Sequence, residues 1–117
     1  MVLMCDFSDG FKVPEITKVR PVVVVSPHHM HHSELYTVVP FSTTRPHIIR
    51  QCHYYFEKNP LPNKEKPVWA KCDLVCTVAR HRLDRIKLAK RKYVSCYIQD
   101  QELQAIRQCL RYVLGIA

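Results

Sequence analysis

Glycine is almost missing from this chain, with two in 117 residues, which removes collagen-like and glycine-rich repeat architectures from consideration. No apolar run approaches the ~20 residues that a membrane-spanning helix requires, so none is expected. The opening Met1-Val2-Leu3-Met4 is too short for a secretory signal and lacks its basic start, which leads us to expect a cytoplasmic location. Among six cysteines no Cys-x-x-Cys pair occurs, and that is the short ligand spacing structural zinc uses. In a reducing compartment the thiols are expected to stay free, most of them packed as small hydrophobes. Acidic residues are scarce too: ten, against eighteen lysines and arginines, for a net charge of +8. Such an excess favours a polyanionic partner, either nucleic acid or an acidic protein segment.

What the chain does have is apolar content of 47%, enough for one core in a single domain spanning residues 1–117. Strands are expected over Met1–Phe7, Val22–Val25, Leu35–Phe41, Arg50–Phe56, Val68–Val78 and Tyr93–Ile98. Val22 to Val25 is unbroken valine and needs cover on both faces. Pro27 to His32 reads as a turn, and Lys58 to Pro67, with three prolines, as a loop. From Asp100, read as an N-cap, a helix runs to about Leu114 and stops at Gly115. Its Leu103, Ile106, Leu110 and Val113 form one apolar stripe that belongs to the core. Five or six short strands and one terminal helix imply a mainly β fold, a small antiparallel sheet closed into a barrel and covered by the helix.

Three stretches join an apolar run to polar chemistry: Lys18-Val19-Arg20-Pro21-Val22, Val38-Val39-Pro40-Phe41-Ser42-Thr43-Thr44, and Trp69-Ala70-Lys71-Cys72-Asp73. A cation before one strand, hydroxyls after the next and a Lys-x-Asp within a third suit a phosphodiester. RNA carries its own nucleophile, the 2′-hydroxyl, so cleavage needs only a base, a cation for the phosphorane and an acid for the departing 5′-oxygen. Arg20 is the candidate cation, Ser42 and Thr43 are candidate hydroxyl donors, and Asp73 is the candidate base. Lys71 is placed two residues earlier on the same strand face. From Arg80 to Lys92 seven basic residues accompany one acid, so Arg80 and Arg82 are candidate substrate contacts on a loop bordering the site. Each feature also has a bland reading: an Arg-Pro turn, self-satisfied hydroxyls, a surface ion pair, a solvated charge run.

In order and spacing these stretches resemble the MazF/PemK family of toxin ribonucleases from bacterial toxin–antitoxin pairs. The resemblance rests on Asp6-Phe7, Arg20-Pro21 with its valine strand, Val38-Val39-Pro40-Phe41-Ser42-Thr43, Lys71-Cys72-Asp73 and Leu114-Gly115-Ile116. It implies an SH3-like barrel with a C-terminal helix, acting as a homodimer on single-stranded RNA without metal or cofactor. It further implies a cognate antitoxin whose acidic, flexible segment covers the site. By the same resemblance Arg20 matches the phosphate-binding catalytic arginine, Ser42 the active-site threonine and Asp73 the proposed base. Glu15 matches an acidic residue of the loop ahead of Arg-Pro. Three positions depart from the pattern: Ser42 for threonine, Lys71 for arginine, and Pro14 where some members carry histidine.

Other readings compete with this one. The His28–His32 run, Cys52-His53 and Cys72-x-x-x-Cys76 offer zinc ligand types, but on one strand Cys72 and Cys76 would lie ~13 Å apart, too far to share an ion. Tyr54-Tyr55-Phe56 would suit a non-catalytic single-strand binder stacking bases on a sheet. A gyrase poison of the CcdB type resembles the same fold but not its chemistry; such proteins use a tryptophan beside the C-terminal Gly-Ile, a place that Leu114 occupies here.

Overall fold

The computed structural model describes residues 1–116, the side chain of His32 excepted. Among the described residues the strands are β1 (Val2–Asp6), β2 (Val19–Val24), β3 (Leu35–Ser42), β4 (His53–Phe56), β5 (Val68–Lys71), β6 (Cys76–Ala79), β7 (Leu83–Asp84), β8 (Ile86–Ala89) and β9 (Lys92–Val94); helix α1 spans Asp100–Leu114. Seven strands form one antiparallel sheet in the order β4-β5-β3-β2-β1-β7, with β6 also paired to β3; β8 and β9 make a separate hairpin. The fold is mainly β with one C-terminal helix, as expected. Among the described residues no hydrogen-bonded ladder joins the ends of the sheet, so the barrel expected from the sequence is not closed.

Valines alternate between two cores, which is why β2 can be apolar throughout. Val23 and Val25 turn with Val39, Phe41, Phe56 and Ala70 toward Ile106 of α1. Val22 and Val24 turn the other way, with Cys5, Phe7, Val38 and Val78, beneath Phe11 and Ile16 of the loop between β1 and β2. The helix stripe behaves as expected: Ile106 is buried, and Leu103, Leu110 and Val113 pack on the first core. Its start is one residue earlier than read. Gln99 is the N-cap and Asp100 the first helical residue, because the Gln99 N–H donates to Glu102 Oε1 at 2.8 Å, half of a capping box. Gly115 ends the helix at φ +68°, with N–H bonds from Gly115 to Tyr112 O and from Ile116 to Arg111 O, the Schellman arrangement.

Four local expectations are corrected. Val68–Val78 is not one strand. The β3 register pairs Phe41 with Ala70 on β5 but Val38 with Cys76 on β6, so three extra residues are looped out between them, as the 3₁₀ turn Cys72–Leu74. In an unbroken strand Asp73 would face Val38; Cys76 takes that place. Lys71 and Asp73 therefore do not share a strand face, and the ~13 Å extended-strand spacing of Cys72 and Cys76 does not apply. Secondly, the basic stretch Arg80–Lys92 is no loop: a 3₁₀ turn at Arg80–Arg82, then β7, β8 and the start of β9. Apolar residues set among the charges explain this, since Leu83 packs on the second core and Ile86 is buried in the first. The remaining two concern strand limits. The strand expected from Tyr93 ends at Val94, leaving Cys96 as a single bridge to Val2, and Arg50–Phe56 shortens to β4 because the Arg50 carbonyl accepts the His53 N–H in a turn.

Candidate active site

Strand register, more than sequence proximity, assembles the polar groups. Ser42 at the end of β3 lies directly opposite Trp69 of β5. On its other side β3 pairs with β2 as far as Val22–Pro40; continuing that register by two residues sets Arg20 opposite Ser42. Directly paired residues project to the same face, so Arg20, Ser42 and Trp69 share the face turned away from α1. Lys71, two residues from Trp69 and paired with His53, joins them. Arg20 is thus inside β2, not before the strand as read from sequence, and it pairs with Cys5 across β1. Among the described residues neither Arg20 nor Lys71 makes a side-chain hydrogen bond or ion pair, which leaves both cations available to an anion.

The Ser42 hydroxyl has a fixed orientation. Its Oγ accepts the Thr44 N–H at 3.1 Å, which fills an acceptor position and leaves the O–H free to donate. That bond restrains the rotamer in place of the methyl group a threonine would supply. Thr43 is exposed beside it.

Asp73 is pushed outward by the 3₁₀ turn and is half exposed, with Oδ1 3.5 Å from Nε2 of His53, whose side chain is only 6% exposed. Sequence reasoning weighed His53 only as a zinc ligand and missed this contact, because it requires β4 to pair with β5. The backbone identifies the histidine's tautomer: the Arg50 N–H donates to Nδ1 at 3.1 Å. An accepting Nδ1 carries no proton, so in the neutral ring the proton sits on Nε2, facing Asp73. Cys52, His53 and Asp73 bring one donor atom each within 4.8 Å of one another, a grouping that resembles a metal site. Its chemistry opposes one. Binding through Nε2 would put the proton on Nδ1, against the Arg50 N–H that Nδ1 accepts.

Glu15 and Asp73 border the same small hollow of about 180 Å³, together with Phe11 and Ile16. Glu15 also closes its own loop, accepting the Lys12 N–H on Oε1 at 3.1 Å. The remaining two candidates lie elsewhere. Arg82 holds the β1–β2 loop in place: Nη1 donates to the Asp6 carbonyl at 3.0 Å and the guanidinium lies 4.9 Å over the Phe11 ring. Arg80 sits past the Leu35–Ala79 pair, at the opposite end of β3 from Ser42, about 23 Å along the strand at a rise of 3.3 Å per residue. There it faces Glu34 at 3.6 Å.

Residues 1–114 match the family model described as PemK-like, MazF-like toxin of type II toxin–antitoxin system. The chain belongs to that family. Among solved structures it is similar to the Mycobacterium tuberculosis toxin MazF-mt6, at 16% identity and a TM-score of 0.69, over 100% of this chain and 99% of the other. It is also similar to an endoribonuclease in complex with its cognate antitoxin from a mycobacterial species, at 20% identity and a TM-score of 0.65, covering 99% and 92% of the two chains. An endoribonuclease from a mycobacterial species matches at 19% identity and a TM-score of 0.63, covering 98% and 88%. A search of curated proteins gave no match. At these identities the structural likeness establishes the fold, while membership rests on the family match. Among the described residues of this MazF-like toxin no helix is long and apolar enough to cross a membrane.

Proposed function

We propose that this toxin is a metal-independent endoribonuclease that cuts single-stranded RNA by attack of its own 2′-hydroxyl. The observation that carries the reading is the convergence of two unpaired cations and an oriented hydroxyl, Arg20, Lys71 and Ser42, on one sheet face. Asp73 stands at the edge of that face.

In this reading Asp73 takes the 2′-OH proton while the 2′-oxygen bonds to phosphorus. His53, with its Nε2 proton toward the carboxylate, holds Asp73 in position and stabilises its charge. Arg20 neutralises the non-bridging oxygens of the phosphorane through two parallel N–H donors, and Ser42 donates its hydroxyl to the same group. Lys71 is the ammonium placed to protonate the departing 5′-oxygen as the P–O5′ bond breaks. The products are a 2′,3′-cyclic phosphate and a 5′-hydroxyl, and proton return from Asp73 to Lys71 through water completes the cycle. Glu15 and Thr43 border the path of the chain on either side. Arg80 and Arg82 add to the positive field that draws RNA in.

A second copy of the chain would lengthen a groove that one 117-residue domain makes short, so the working form is a homodimer. The restraining partner is an antitoxin segment, disordered and acidic, competing with RNA for the same cations. The deciding experiment is incubation of the pure protein with mixed-sequence RNA in EDTA, with product ends identified by their chemistry. Cleavage with cyclic-phosphate ends is expected. RNA left intact in EDTA and cut only on adding Mg²⁺ or Zn²⁺ would overturn the mechanism, and a monomeric solution mass would overturn the dimer.

A further inference from the structure

One feature of this face is unused by the proposed chemistry. Of the three consecutive aromatics on β4, Tyr54 and Phe56 turn into the first core, whereas Tyr55 turns out and is 46% exposed. It pairs directly with Trp69 of β5, the only tryptophan in the chain. Their ring centroids lie 4.7 Å apart with planes inclined at 46°, so the rings diverge instead of covering each other. Beside them opens a hollow of about 430 Å³, lined also by Thr43, Arg45, Ile49 and Lys66. Its described lining contains two cations and no carboxylate.

We propose that Tyr55 and Trp69 form a stacking ledge for one unpaired base of the bound RNA, the base flanking the phosphate held at Ser42. This rests on the endoribonuclease reading of the same face. Ser42 and Trp69 are cross-strand partners, so a phosphate on the hydroxyl brings its neighbouring nucleotide over the indole. Every base presents a π-face, and stacking on an aromatic ring is worth about 1–3 kcal/mol per base by alanine substitution. Arg45 and Lys66 are placed to take the next backbone phosphate. The hollow's volume falls within the range of small-molecule clefts, ample for a single base. A cross-strand aromatic pair also stabilises a sheet edge, and the test separates that role from base binding.

The probe is a mixed-sequence single-stranded 12-mer with 2′-O-methyl riboses, which has no 2′-OH proton to remove and cannot be cut. Saturable quenching of tryptophan emission is expected, since Trp69 is the sole emitter. Read for parent and variants alike by the anisotropy of the same 12-mer carrying a fluorescent end label, Trp69→Phe should bind within about threefold of the parent, and Trp69→Ala about 5- to 150-fold more weakly, the fold-change equivalent of that stacking energy. If Trp69→Ala fails to fold, Trp69→Leu keeps apolar bulk without a π-face and should weaken binding in the same direction. The ledge is overturned if emission does not change, or if a folded Ala or Leu variant binds as tightly as the parent. It is equally overturned if either folded variant halves the solution mass, which would make the pair a self-association surface. RNA left uncut while the 12-mer quenches Trp69 would remove the enzyme reading and keep the ledge; cleavage with no response at Trp69 would do the reverse.

Discussion

The two ends of β3 both carry arginine chemistry, and they differ in what the arginines already hold. At the Leu35 end Arg80 faces Glu34 at 3.6 Å, while nearby Arg82 is committed to the Asp6 carbonyl and the Phe11 ring. At the Ser42 end Arg20 and Lys71 have no such commitments among the described residues. The stretch with the densest charge in the sequence, Arg80 to Lys92, thus spends part of its charge on the protein itself. Arg20 on β2 and Lys71 on β5 are among the cations left to meet a ligand. Charge density in sequence marks where repulsion must be relieved, whereas unpaired charge in the fold marks where an anion would bind.

The sharpest way to break this contrast is to remove one arginine from each end. Arg20→Ala is expected to lower the cleavage rate by on the order of 10²–10³, the usual loss for a main transition-state donor, with an unchanged circular-dichroism spectrum. Arg80→Ala should lower it only a few-fold, through the weakened long-range field, and the difference should vanish at high salt. Equal losses in single-turnover assays would show that the two ends do not differ.

A broader effect is expected from two buried thiols, Cys5 and Cys72. Burial pushes Cys5, the β1 partner of Arg20, up to about 12 from an ordinary 9.0, and burial likewise raises Cys72. Below pH 9 both folded and unfolded chains hold these protons, so stability does not depend on them. Between pH 9 and about 12 the unfolded chain releases the Cys5 proton and the folded one does not, so the slope of stability with pH is negative there. Urea titrations across that window should show the midpoint falling, and less steeply in Cys5→Ala. A midpoint that stays flat to pH 11 would contradict the buried thiol.

Smaller still is the loss expected for Arg82→Ala, about 1–2 kcal/mol from one charge-assisted bond and a partly exposed cation–π contact. Hydrogen exchange should rise in the Ser8–Lys18 loop, with the β2 and β3 amides unaffected. Least of all is Glu34→Gln, which opens an ion pair more than two-thirds exposed on both sides and should change stability by less than about 1 kcal/mol. A larger thermal shift for Glu34→Gln than for Arg82→Ala would invert the ranking of the two arginines.

Several features were legible without coordinates because they depend on short-range chemistry. The run Val22 to Val25 required cover on both faces, and it has two cores. The helical stripe and Gly115 set the packing face and the end of α1. The ordered motifs around Arg20, Ser42 and Asp73 pointed to the toxin family that residues 1–114 match. Other features depend on which strand lies beside which, and no local pattern encodes that. The residues from Val68 to Val78 are apolar enough to read as one strand; only their pairing with a β3 shared between β5 and β6 forces three of them out, taking Asp73 off the face of Lys71 and beside His53. Strand alternation in the sequence already sets Tyr55 on the face opposite Tyr54 and Phe56, but it gives no sign of the partner, Trp69, that β5 sets against it. The sequence by itself determined composition, charge, the doubly buried strand and the helix, because each follows from the polarity and backbone preference of neighbouring residues. Only the tertiary structure decided which cations stay unpaired and which carboxylate meets a histidine, because those contacts are made by register between segments distant in the chain.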